Sequence, residues 1–172
     1  NTITINNSTL HGTINVDSNI RNYKKYVINN STLESITTSS YTSSDASIIL
    51  INSSANIKTN FDINNSTLKS SNILYMIGNL DSDSTIKINN SNFISSYNGT
   101  SANSYSTIDN YGEFNINNTT FENTGVNKTY AIANRNKMII KGNSEIKEGF
   151  DKAIYNESEL TIGDNETAVS VQ

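Results

Sequence analysis

Few residues in this chain carry the chemistry of a reactive site. Its 172 residues include no Cys and one His. His11 has no second His or Cys with which to share a metal ion, and no partner for a nucleophilic triad. Asp81-Ser82-Asp83 could offer oxygens to Ca²⁺, but it lacks the Gly and distal Glu of an EF-hand loop and reads as a solvated turn. No metal, cofactor or catalytic residue is expected. Binding chemistry is better supplied by Tyr41, Tyr97 and Tyr105, whose rings could stack on sugars or anchor a partner, with Asn98 beside them. Plain loop drift is the competing reading of these positions. Asn-x-Ser/Thr sequons are abundant, among them Asn7, Asn30, Asn52, Asn65, Asn98, Asn118, Asn127, Asn156 and Asn165. A chain so rich in Asn, Ser and Thr generates sequons by chance. Asn98 and Asn127, in longer corners, are the candidates for glycosylation.

The elements that hold these residues follow from a repeat. The motif Ile-Asn-Asn-Ser-Thr-Leu starts at Ile5, Ile28 and Ile63, and close copies start at Ile88 and Ile116. Weaker copies start at Ile140 and Ile162. Leu10, Leu33, Leu68, Phe93 and Phe121 each follow five residues on. Upstream recurs an aliphatic residue, any residue, then Asn, ending at Asn22, Asn52, Asn79, Asn110, Asn134 and Asn156. Within segments such as Phe114-x-Ile116 and Leu160-x-Ile162 the apolar residues alternate, which marks strands with one buried face.

Each strand resembles the one a whole repeat later, not the one just before it. That favours parallel in-register stacking over a hairpin sandwich. The expected fold is all-β: a right-handed parallel β-helix (β-solenoid), a single domain over 1–172, with about six to seven rungs of three short strands. The rod would be roughly 30 Å long at about 4.8 Å per strand. The six Asn residues Asn22, Asn52, Asn79, Asn110, Asn134 and Asn156 would form a structural ladder, because Asn tolerates corners and its amide can bond its own copy. Stacking would also set opposite charges side by side: Glu113, Lys137 and Glu159 in one column, Glu34 by Lys69, Asp62 by Lys87, and Glu122 by Lys147.

Ala153-Ile154-Tyr155-Asn156, Leu160-Thr161-Ile162 and the repeated Ile-Asn-Asn-Ser-Thr-Phe/Leu resemble the adhesin-like surface proteins of methanogenic archaea. They are similar, more loosely, to the polymorphic outer-membrane repeats of chlamydiae. Here the Gly-Gly-Ala-Ile and Phe-x-x-Asn signatures of those repeats are missing or shortened, as in Phe121-Glu122-Asn123. The resemblance spans nearly the whole chain. It implies a secreted, surface-displayed repeat region with an adhesive or shielding role, and it brings no catalytic residue.

The corner after the third strand varies most, with long insertions over 34–47 and 94–107 that would project on one side. Lyases and glycosidases on this fold need clustered carboxylates, whereas the aligned columns pair acids with bases. The expected function is therefore a non-catalytic, adhesin-like module binding glycan or protein partners of another cell weakly and multivalently, outside the cell or on its surface. The alternatives are a polysaccharide-active β-helix enzyme and a purely architectural stalk. A net charge of −4 with no basic patch argues against nucleic acid, and no apolar run is long enough to insert in a membrane. The chain opens inside a repeat with no capping helix, which reads as a fragment of a longer repeat protein or as ends that pair with another copy.

Overall fold

The computed structural model describes residues 1–12, 14–16, 25–41, 47–51, 58–73, 75–98, 106–126, 129–163 and 170–171. These residues form a parallel β-solenoid of three sheets, holding seven, seven and six strands. Every described strand pairing is parallel. The first sheet starts with Thr2–Asn6 and ends with Glu159–Ile162, the second runs from Thr9–His11 to Ser170–Val171, and the third from Ile14–Val16 to Lys152–Asn156.

Strict alternation builds the core. In the first sheet one inward column is Ile3, Tyr26, Phe61, Ile86, Phe114, Met138 and Leu160, and the next runs from Ile5 to Ile162. The second sheet contributes Leu10, Leu33, Leu68, Phe93, Phe121 and Ile146. The third contributes Ile14, Ile49, Ile77, Ile108, Ile132 and Ile154. Like stacks on like, so aromatic neighbours meet face to face: Tyr26 on Phe61 at 4.5 Å and Phe93 on Phe121 at 4.9 Å. About five turns have a fully closed core, slightly fewer than the rung count of the sequence. At the ends Ile3, Ile5, Leu10, Ile154 and Leu160 are only partly buried, and Ile162 is exposed.

The corner between the first and second sheets explains the motif residue by residue. Its second Asn adopts a left-handed backbone, with φ near 50° at Asn7, Asn30, Asn65, Asn90 and Asn118. Asn accepts this conformation better than other residues with a Cβ. Gly142 takes over in the weaker copy, where a Cβ would overlap the amide oxygens of Asn117 and Asn118. The following Ser turns its hydroxyl back on the carbonyl two residues earlier, as in Ser31 to Asn29 (2.7 Å) and Ser66 to Asn64 (2.7 Å). It then accepts the backbone N–H of its counterpart in the preceding turn, Ser31 N to Ser66 Oγ at 3.1 Å and Ser66 N to Ser91 Oγ at 3.1 Å.

Three expectations need correction. The ladder register beside Asn79 is held by Ile51, and Leu50 pairs with Gly78. In the first turn the third-sheet strand is Ile14–Val16, which the repeat does not mark, and the segment ending at Asn22 lies outside the described residues. The insertion after Leu33 does not leave the sheet at once, since Thr32–Tyr41 is one ten-residue strand along Thr67–Ile73. A register shift between Ile36 and Tyr41 absorbs the extra residues.

The charge columns fall in the expected register, Glu113 beside Lys137 and Lys137 beside Glu159, Asp62 beside Lys87, and Glu34 beside Lys69. Closed ion pairs are fewer. Lys147 meets Glu122 at 3.3 Å, while Asp62 is taken by Lys25 at 2.7 Å on its other side.

Candidate functional site

The corner from the third sheet back to the first is built on a ladder of amides, buried at Asn79, Asn110 and Asn134. Asn79 Nδ2 donates to Asn110 Oδ1 (3.0 Å), Asn110 to Asn134 (3.0 Å), and Asn134 to Asn156 (2.7 Å). Asn110 Nδ2 also reaches the Gly112 carbonyl (2.8 Å), and Asn110 Oδ1 accepts the Gly112 N–H (3.0 Å). The chain is thereby turned around a hydrogen-bonded side chain. Asn79 Oδ1 is buried without a partner among the described residues, consistent with Ile51 standing next to it in the stack. Asn22 and Asn52 lie outside the described residues.

The residue after each ladder Asn points outward, giving a column of Tyr111, Arg135 and Glu157. The residue before each gives another, Asp109, Ala133 and Tyr155. Further along the same strands Tyr130 pairs with Lys152. These eight side chains form a connected patch on the outer face of the third sheet.

Arg135 lies at its centre. Its Nε donates to Asp109 Oδ1 at 3.1 Å and its Nη1 to Glu157 Oε2 at 2.7 Å. The guanidinium lies 5.3 Å from the Tyr111 ring centre and 6.0 Å from that of Tyr155. Lys152 Nζ donates to the Tyr130 hydroxyl at 3.1 Å, and sits 4.6 Å from the Tyr130 ring centre and 5.6 Å from that of Tyr155. The rings of Tyr130 and Tyr155 stack at 5.7 Å. Cations packed on ring faces hold those rings in place.

The charges perturb one another. Burial raises the pKa of Asp109, and Arg135 offsets this only in part. Glu157 moves the other way, lowered by the Tyr155 hydroxyl and by Arg135. Burial opposes the Arg135 charge, but Glu157 and Asp109 outweigh it and raise its pKa further. Lys152 is raised too, first by the Tyr130 hydroxyl.

Within this patch Tyr130, Ala133, Arg135, Tyr155 and Glu157 enclose a notch of about 200 Å³. The small Ala133 side chain is its floor, 3% exposed. A larger shallow groove of about 310 Å³ crosses the first sheet, lined by Lys87, Asn89, Glu113, Asn115, Asn117 and Lys141 among others, but no aromatic ring borders it.

The sequence candidates fare differently. Tyr97 is not an exposed anchor: it is 1% exposed, and its hydroxyl has no partner among the described residues. Tyr41 closes the ten-residue strand, opposite Ile73. Asn98 is exposed, accepts the Val126 N–H at 3.1 Å, and donates to the Ser96 carbonyl at 3.3 Å. Tyr105 and Asn127 lie outside the described residues. Asp81 is buried, not solvated: it caps its own turn by accepting Asp83 N–H (3.1 Å) and Ser84 Oγ–H (2.6 Å). Among the described residues no group of three or more His, Cys, Asp or Glu could hold a metal ion. No helix is long and apolar enough to cross a membrane.

The sequence held a signal for the patch. Arg135, Tyr155 and Glu157 stand in the unconstrained places of the aliphatic-x-Asn repeat, within it or directly after it. A repeat search discards those places as noise.

The fold and the patch define a class, a β-solenoid with an aromatic and ionic face. Compared with known proteins, the chain matches no family model, no curated protein and no solved structure.

Proposed function

We propose that this chain is a non-catalytic, adhesin-like display module at the cell surface, a stiff rod that binds glycan or protein partners weakly and gains strength from many copies. The observation carrying this reading is the third-sheet patch. Its tyrosine rings, two cations and two carboxylates are fixed by one another on a rigid sheet, so little is lost in ordering them when a partner binds. A surface of this size binds weakly alone, and repetition along a rod or over a cell compensates.

One observation favours a second reading, a polysaccharide-active enzyme. Asp109 is pushed up and Glu157 down, the split that separates a general acid from its partner carboxylate. Arg135 stands between them and bonds both, in the space a scissile bond would need. The arrangement is better suited to holding a surface rigid than to moving a proton.

Particles coated with the domain should adhere to glycan- or cell-coated surfaces at least a hundredfold better than the free domain. Tyr130→Ala/Tyr155→Ala should remove most of that adhesion. Release of reducing sugar or unsaturated product from a polysaccharide panel, lost in Glu157→Gln, would overturn the display reading.

A further inference from the structure

The notch over Ala133 has features that narrow its ligand. Its walls are the rings of Tyr130 and Tyr155, its floor a methyl group, and its rim the guanidinium of Arg135 and the carboxylate of Glu157. An aromatic wall suits the C–H face of a sugar ring, and paired donors and acceptors suit its hydroxyls. At about 200 Å³ it is smaller than pockets for drug-sized ligands, and is matched to a single ring.

Charge decides between sugars. Arg135 and Lys152 are balanced by Asp109 and Glu157, and Asp151 adds a further negative charge near Lys152. A carboxylated or sulfated sugar would have to displace Glu157 from Arg135 or face it across the notch. An uncharged ring meets no such cost. Arg135 uses two of its five N–H groups on Asp109 and Glu157, which leaves donors of the guanidinium to meet a hydroxyl.

We propose that the notch over Ala133 is a subsite for one neutral pyranose ring, stacked against the Tyr130 and Tyr155 platform with its hydroxyls bonded at Arg135 and Glu157. This rests on the display reading and names the chemistry of its partner. Ala133 sets the specificity: it keeps the notch open between the larger Asp109 and Tyr155 of the same outward column.

The test is an NMR titration of the whole chain with methyl glycosides of glucose, galactose and mannose, and with the methyl glycoside of glucuronic acid. At least one neutral glycoside should shift the Ala133 methyl and Arg135 Nε–H resonances in a saturable way, and the glucuronoside should do so at least tenfold more weakly. Ala133→Leu fills the notch from outside the core, and should weaken binding at least tenfold while resonances away from the patch stay put. Tyr155→Ala, on the same outer face, should do likewise. The subsite is overturned if no neutral glycoside moves these resonances, if Ala133→Leu binds like the parent chain, or if the glucuronoside binds best. Adhesion of coated particles that survives Ala133→Leu would overturn the subsite and leave the display reading standing. Coated particles that adhere to nothing would overturn the display reading itself.

Discussion

Two corners of the turn use asparagine for opposite purposes. Where the first sheet meets the second, the amides of Asn6, Asn29, Asn64 and Asn89 form a ladder at the surface, and water can replace any of its bonds. Where the third sheet meets the first, Asn79, Asn110 and Asn134 are fully buried, and the amides of Asn110 and Asn134 serve backbone groups as well as the ladder. The first corner recurs almost unchanged and bears no patch. The second supports the outward column of Tyr111, Arg135 and Glu157. A motif that repeats strongly therefore marks a backbone requirement. The variable residues beside a rigid, buried support are the ones placed to meet a partner.

The sharpest way to break that contrast is to exchange one amide in each ladder. Asn110→Leu keeps the volume but orphans the Asn79 Nδ2 donor and the Gly112 N–H. Each buried group left unpaired costs about 1–3 kcal/mol, so the loss should be roughly 3 kcal/mol or more. Asn64→Ala removes two amide bonds of similar length, but at a half-buried site where water substitutes, and should cost about 0.5 kcal/mol or less. Urea unfolding of the two variants measures both. Equal losses would mean that the two ladders are energetically alike and the contrast is false.

A middle-sized effect comes from the serine that accompanies the surface ladder. Ser66 Oγ donates to the Asn64 carbonyl and accepts the Ser31 N–H, which is buried. Ser66→Ala should cost about 1–2 kcal/mol, more than Asn64→Ala, although the two residues share one corner. Hydrogen exchange should locate the effect, with the Ser31 amide losing protection before its neighbours. An unchanged Ser31 amide would show that the serine column is incidental.

These residues explain how much of the molecule was readable in advance. Period-two alternation and a fixed five-residue step reveal the strands, their parallel stacking and most of the register, because burial on one face leaves few alternatives. Register failed at Ile48-Ile49-Leu50-Ile51, where four apolar residues in a row erase the alternation. An aliphatic-x-Asn step read from Leu50 to Asn52 lies one residue off the observed register, in which Ile51 stands beside Asn79. The patch stayed hidden because Tyr130, Arg135 and Lys152 meet only after two turns are stacked, and none belongs to the repeat. Tyr97 misled for the converse reason. A tyrosine at the end of a strand can turn its ring inward, and composition does not record the direction.

The smallest predicted effect concerns the patch, and it tests whether Arg135 organises the second corner's outer face. Ordinarily an Asp carboxyl titrates below a Glu carboxyl. Here burial raises Asp109 above its usual 3.8, and the Tyr155 hydroxyl with Arg135 lowers Glu157 below its usual 4.5. Carboxyl-carbon NMR should find Asp109 titrating above 3.8 and Glu157 below 4.5. The linked stabilities have opposite signs. The Asp109 contribution is full below its unfolded pKa and is lost as pH rises through the higher folded value. The Glu157 contribution is present above its unfolded pKa and is lost as pH falls through the lower folded value. They oppose each other, so the patch should add little net slope to stability in this range. Arg135→Met removes the cation from both, and should move both midpoints upward, Asp109 further from its ordinary value and Glu157 back toward its own. Midpoints that do not respond to Arg135→Met would mean that the guanidinium is not what joins the two carboxylates, and the patch would reduce to separate surface residues on a regular rod.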